Sequence, residues 1–392
     1  MSKETWPLLN LPADITADVA AERPLPNGAA LGLPGCAVKR RTLRGGLRDG
    51  VDLVELDNGR LRVAVLPQRG MGLWKAWLGD WPIGWNSPIR GPVHPRFVPI
   101  AEPSGLGWLD GFDELLCRCG LWSNGAPEFD DRGTLIHPLH GRVANLPAHY
   151  LAIEADRGAG ELSLVGIVDE CRFHFHKLRL TSRLTLRPGE AGFRIVDEVT
   201  NLSGSPSEMQ LLYHINFGSP LLEAGARVVA PVRRVMPRDA RAVPGARNWD
   251  RYGPPRAGAE EEVYYSQLLA GPDGWTQAVL RNAAGDRGVS IRFSTAELPC
   301  FTLWKNSTSP EDGYLTGLEP GVNFPNRRSF ESSQSRVRRL APGETVRFEL
   351  AIEVRPDAAA VAEAEAAIGA LQRSAKPEVC LQPRPGWTEG PG

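Results

Sequence analysis

The chain contains seven histidines, and several of them, with one glutamate, stand where a side chain could move a proton. His214 lies in QLLYHINFG, after residues that read as a buried strand. Glu319 lies in YLTGLEPGVNFPN, at the end of an apolar strand and just before Pro320-Gly321. An acidic residue at such a place needs a partner or a task. His137 and His140 occupy LIHPLHGRVANLPAH, a turn-rich segment without regular periodicity. A carboxylate with nearby imidazoles is the equipment of general acid–base chemistry near neutral pH. Each residue also has a structural reading: a lone histidine at a strand end more often packs than reacts, and a glutamate before Pro-Gly can cap loop amides.

Two other patterns carry less. His174 and His176 flank Phe175 and would share one face of a strand, as a pair of metal ligands does. No Gly-rich segment with a glutamate follows them, and Arg172 and Lys177 stand beside them, so the expectation is no metal site. Cys117 and Cys119 form a C-x-C pair with no second pair to complete a metal centre. Six cysteines in 392 residues read as free thiols rather than a disulfide framework.

Around a reactive centre, recognition of a ligand draws on aromatic platforms and polar contacts. Of the 11 tryptophans, most read as packing. Trp122 in GLWSNGAP, beside Asn124, and Trp304 in FTLWKNS, beside Lys305, adjoin polar turn residues and are candidates for a site. Arg69, Arg142, Lys305 and Arg327 are further polar candidates; several converging on one cleft would signal a carboxylate or phosphate on the ligand.

The elements that must hold these residues are strands. Gly and Pro number 42 and 34, and the segments between them alternate with a period of two. Asn58-Gly59 signals a hairpin before Leu61, Val63 and Val65. Pro188-Gly189 separates a strand over 178–186 from one over 193–201, and Pro342-Gly343 leads into the alternation from Val346 to Val354. Further strands are expected over 161–168, 210–217, 275–281 and 288–294. This is the pattern of a large antiparallel, all-β sandwich with few short helices. One helix is clear: Asp357 is an N-cap for the Ala/Glu-rich run 358–373. The tail, 376–392, reads as loosely draped. Residues 227–262, rich in Arg, Pro, Ala and Gly, read as an excursion forming a flap or a contact surface. The expected organisation is an N-terminal extension over 1–50, a sandwich over 51–356 that carries the site, and a C-terminal helix and tail over 357–392.

Bulk properties exclude several functions. The formal net charge of −1 gives no field to gather nucleic acid or an anionic membrane. No apolar run reaches the roughly 20 residues of a membrane span, and the first residues lack a secretory pattern, so a cytoplasmic setting is expected. Neither G-x-G-x-x-G nor a P-loop is present, against a dehydrogenase or a kinase.

Taken together, VTNLSGSPSEMQLLYHINFG, HPLHGRVANLPA and GLEPGVNFPN resemble the aldose 1-epimerase (galactose mutarotase-like) superfamily over residues 51–354. LPQRGMGLWKAWLGDWPIGWNSP is similar to a branch known only as a domain of unknown function. The resemblance implies a β-sandwich with a sugar in a cleft on one sheet, and chemistry that needs no cofactor. It implies Glu319 as general base, His214 as general acid and His140 as the group near the ring oxygen. It further implies sugar contacts from Arg142, Asn145, Asn216 and Asn323, with Arg69, Asn124, Trp122, Trp304 and Lys305 nearby. The expected partner is a small sugar or sugar derivative. Interconversion of anomers is the leading expectation; a carbohydrate lyase or hydrolase, or a non-catalytic sugar-binding protein, are the alternatives on such a fold.

Overall fold

The computed structural model describes residues 3–13, 25–28 and 30–389. The last three residues of the expected tail and part of the expected N-terminal extension lie outside the described residues.

Two large antiparallel sheets pack face to face. Where residues alternate apolar and polar, as in Lys177–Leu186 and Thr345–Arg355, every second side chain is buried between the sheets, as expected for half-buried strands. The nine-stranded sheet contains the runs expected from alternation, observed as Glu161–Cys171, Lys177–Leu186, Gly192–Asn201, Trp275–Arg281, Gly288–Ser294 and Thr345–Arg355. The larger sheet has 13 strands. At its centre, strands such as Leu116–Leu121, Ser207–Gly218 and Leu315–Gly321 are buried on both faces and carry polar side chains among the apolar ones. One face packs on the other sheet, and the other lies beneath loops that build a cleft.

Described residues of the expected N-terminal extension, 1–50, pair within both sheets. Lys3–Asn10 pairs with Tyr150–Asp156 at the edge of the smaller sheet, and Ala37–Thr42 pairs with Asp52–Asp57 in the larger. The excursion contains strands Arg227–Val229 and Val232–Pro237, which the low periodicity had hidden. Helix Ala358–Gln372 begins where expected, with the Asp357 carboxylate accepting from Ala360 N at 2.8 Å. The described part of the tail is not loose. Glu378–Val379 pairs with Val232–Pro237 in parallel, and Trp387 stacks on Phe324 with centroids 5.1 Å apart. Among the described residues, no helix is long and apolar enough to cross a membrane.

A buried ion pair ties the two sheets together. Arg118, on Leu116–Leu121, bonds both carboxylate oxygens of Asp197 across the core, at 2.5 and 3.0 Å. Tyr213 donates to the same carboxylate at 2.9 Å, and Arg118 also reaches Ser182 Oγ at 2.8 Å. Tyr213 precedes His214, so this network anchors the strand that carries the histidine.

Candidate active site

The register of three neighbouring strands sets the reactive row. Ile215 pairs with Leu318 and Leu212 with Gly321, which puts His214 beside Glu319; on the other side, Glu319 pairs with Thr302 of Cys300–Asn306. Side chains directly across from one another point to the same face. His214, Glu319 and Thr302 therefore form a line across the sheet, and Trp304 follows two residues along. These four, with Trp108 and His140 above them, line a cleft of about 250 Å3.

His214 sits in an aromatic box. Its ring centroid lies 5.9 Å from that of Trp108, 5.2 Å from Phe112, 5.4 Å from His140 and 5.4 Å from Trp304. Its Nδ1 is 2.6 Å from Asn216 Oδ1, and Asn216 Nδ2 donates to Glu114 O at 3.0 Å. With its amide nitrogen so used, Asn216 offers an acceptor, and His214 must place its hydrogen on Nδ1. Nε2 then carries a lone pair. It lies 3.2 Å from Glu319 Oε1, without hydrogen-bond alignment.

Glu319 is 2% exposed, and its carboxyl meets no aligned hydrogen-bond donor among the described residues. A buried carboxylate without donors is costly. Burial, with the Glu261 carboxylate nearby, accordingly pushes the Glu319 carboxyl well above its ordinary range. Burial, with His140 adjacent, lowers His214 to about 3. The pair therefore holds one proton, resting on the carboxyl and facing an imidazole lone pair. Gly317 leaves room for both: a Cβ there would lie 2.4 Å from Glu319 Oε1 and 3.1 Å from His214 Cε1.

His140 approaches from the loop side. It adopts φ 57°, in the left-handed region that favours glycine, a strain that clusters at functional sites. Gly141 beside it also lies at φ 72°, where a Cβ would meet Ser123 O at 1.9 Å. His140 Nδ1 donates to Asn124 O at 3.1 Å, which leaves Nε2 as a lone-pair acceptor. Burial lowers this imidazole to about 4.

The other expected contacts divide by position. Trp304 lines the cleft, and its Nε1 donates to Glu261 Oε2 at 2.8 Å. Asn216 orients His214 from behind rather than touching the cleft. Asn124 and Asn323 are wholly buried and bond each other's amides, at 2.9 and 2.8 Å. Arg69 is 1% exposed and fully engaged. It pairs with Glu114 at 2.7 Å, with Gly111 O at 2.7 Å, and with Asn145. Arg69 and Asn145 thus fix the turn carrying Trp108 and Phe112 and do not face a ligand. Lys305 alternates to the opposite side of its strand from Trp304 and donates to Arg251 O at 2.8 Å.

Trp122 and Arg142 belong to another region. Trp122 stacks on His176 at 4.7 Å and lies under the Arg328 guanidinium at 4.1 Å. Arg142 is exposed, near Glu170 and His176. Arg327 pairs with Glu389. The His-Phe-His segment is a hairpin turn and not a strand: Phe175 N bonds Arg172 O at 2.9 Å, and His174 is exposed with φ 67°. The shared-face geometry expected for metal ligands is therefore lost.

Four cleft residues escaped the sequence reading. Thr302 was accessible by alternation from Trp304, two positions away. Trp108 lies in the short 3-10 helix Gly107–Gly111, where no periodicity marks it. Arg238 and Glu261 come from the two ends of the excursion and pair at 2.7 Å. Only the fold brings them together.

Residues 48–354 match the family described as domain of unknown function DUF4432. A candidate aldose 1-epimerase from Klebsiella pneumoniae subsp. pneumoniae MGH 78578 is similar at 34% identity and TM-score 0.91, over 96% of this chain and 98% of its own. A galactose mutarotase-like protein from Clostridium acetobutylicum has TM-score 0.56 at 14% identity, over 81% of this chain and 98% of its own. A galactose 1-epimerase from Lactobacillus acidophilus NCFM has TM-score 0.53 at 14% identity, with coverage of 81% and 98%. At that identity, the last two establish the fold alone. None of the curated proteins matches the chain.

Proposed function

This chain belongs to the DUF4432 family and has the galactose mutarotase-like fold, and from that premise we propose that it interconverts the anomers of an uncharged aldose. The observation that carries the reading is the Glu319–His214 pair: two buried groups 3.2 Å apart on the floor of the cleft.

Anomerisation needs one proton acceptor and one proton donor at the same moment. One group takes the proton of the anomeric hydroxyl while the other protonates the ring oxygen, and the C1–O5 bond breaks. After rotation about C1–C2, closure on the other face returns both protons. A pair holding a single proton offers one acid and one base throughout. With the proton moved to His214, Glu319 is the base and the imidazolium the acid; the return step uses the opposite assignment. Each well-placed group contributes on the order of 100- to 10,000-fold. His140 Nε2, a lone-pair acceptor, receives a neighbouring sugar hydroxyl.

Size and charge favour this substrate. A volume of about 250 Å3 equals roughly eight waters at about 30 Å3 each, which suits one monosaccharide and not the chain that a lyase or hydrolase cleaves. The one cation on the lining, Arg238, is matched by Glu261 and Asp239, at 2.7 and 3.0 Å. Arg69, Lys305 and Arg327 are engaged elsewhere, and Arg142 is not on the cleft lining. No unpaired cation lines the cleft among the described residues, so a phosphate or carboxylate finds no counter-charge there.

The test is exchange NMR of anomeric protons across neutral aldoses, uronates and sugar phosphates. The expected result is acceleration confined to neutral aldoses. Acceleration of the phosphates or uronates alone would remove the uncharged-substrate reading, and cleavage of an oligosaccharide into new reducing ends would replace it with hydrolase or lyase chemistry.

A further inference from the structure

Besides the Glu319–His214 pair, the cleft contains two polar groups that the fold leaves unused. Trp108 Nε1 and Thr302 Oγ1 are buried, belong to residues lining the cleft, and hydrogen-bond to no protein atom among the described residues. Their residues are each 1% exposed. Folded proteins rarely leave a buried donor unpaired, and one that persists calls for a reason. An indole N–H can only donate and a hydroxyl can do both, so their common partner must be rich in oxygen.

Their positions are specific. Thr302 lies directly across from Glu319 in the sheet, on the side away from His214. Trp108 sits at the other end, with its ring 4.6 Å from His140 and 5.9 Å from His214. Other buried polar groups around the cleft are spoken for. Asn124 bonds Asn323, Asn216 bonds His214, and Trp304 Nε1 bonds Glu261. The unused groups therefore bracket the reactive pair, one on each side.

We propose that Trp108 Nε1 and Thr302 Oγ1 are substrate-specificity groups, hydrogen-bonding two sugar oxygens that flank the reacting carbon, Thr302 on the carboxyl side and Trp108 on the imidazole side. This assignment rests on the sugar-site reading above but not on the anomerisation step. A ligand oxygen satisfies a group that otherwise stays unpaired, so recognition here rejects an analogue lacking that oxygen more strongly than an apolar contact does.

Thr302→Val removes the polar atom and keeps nearly the same shape, whereas Trp108→Phe removes the indole nitrogen together with part of a buried ring. The readouts are sugar affinity, by ligand-observed NMR over the neutral aldose panel, anomeric exchange, and thermal midpoint. Each variant is expected to weaken binding of the preferred aldose by about tenfold or more, with KM rising more than kcat falls. The midpoint of Thr302→Val should hold or rise, since an unpaired buried atom is lost; that of Trp108→Phe should fall, because a buried ring is truncated, so for Trp108 the matching deoxy-sugar analogue decides. In the deoxy-sugar series, the analogue that binds wild type poorly should bind the matching variant no worse than the parent sugar does. Wild-type affinity in both variants overturns the assignment while leaving a mutarotase intact. If no aldose exchanges faster, the anomerisation reading falls alone, and binding still decides. Weakened binding in the variants upholds the assignment, and unchanged or absent sugar binding by wild type and variants overturns it.

Discussion

At the residue scale, the chemistry turns on how much a protein can shift two ordinary side chains by denying them water and donors. Glu319 is raised by burial and His214 is lowered by it, to about 3. Between those limits the pair holds one proton, so its protonation does not change across the neutral range. The rate of anomeric exchange, as kcat/KM, should therefore show no inflection at about 6.5, where an unperturbed imidazole would impose one. The acid limb should come from a second proton on the pair, well below that value, and the alkaline limb from loss of the Glu319 proton. A pH series of exchange rates checks this, and a single ionisation centred near about 6.5 would contradict it. His214 and Glu319 were legible in the sequence as candidates because a histidine or glutamate at the end of an apolar strand stands out. Their environment was not. Nothing local in YLTGLEPG states that Glu319 lacks a donor, and nothing in GLGWLDG marks Trp108.

At the scale of the elements, the site is a matter of register. His214, Glu319 and Thr302 belong to three strands that are distant in sequence and adjacent in the sheet. Alternation located those strands but not their neighbours, because pairing depends on long-range packing. The same limit explains the polar contacts that turned inward. Asn145 and Asn216 sit close in sequence to His140 and His214, yet they, like Arg69, hold a turn or a ring from behind. The Arg118–Asp197–Tyr213 network clamps the His214 strand to the opposite sheet. Removing the acid leaves a buried guanidinium unpaired, so Asp197→Ala should cost about 3–5 kcal/mol of stability. Urea unfolding measures it, and a loss under about 1 kcal/mol would mean that water or a rearranged partner replaces the carboxylate.

Across the whole molecule, segments at both chain ends and within the excursion complete the sandwich and its cleft. The sandwich itself was legible, since alternation with Pro/Gly turns recurs along most of the chain. The excursion and the tail were not, because each is organised by contacts with distant residues. Arg238 meets Glu261 across the mouth of the cleft. Trp387 stacks on Phe324, its carbonyl accepts from Asn326 Nδ2 at 2.9 Å, and Gly386 O accepts from Arg336 at 2.7 Å. Pro325, within that braced segment, is part of the cleft wall. Trp387→Ala should therefore lower stability by about 1–3 kcal/mol and raise KM for the sugar more than it lowers kcat. Denaturant melts and exchange kinetics on the variant test both, and an unchanged KM would detach the tail from the site.

On the proposed mechanism, proton transfer through Glu319 and His214 carries the reaction. The most direct test is the rate of anomeric exchange for the preferred aldose with wild-type protein and with Glu319→Gln, which keeps the shape and removes the transferable proton. The account predicts acceleration by the wild type, and a fall of at least about 100-fold in the variant with sugar binding and folding retained. Wild-type exchange in Glu319→Gln would contradict it, and would move the chemistry away from this pair.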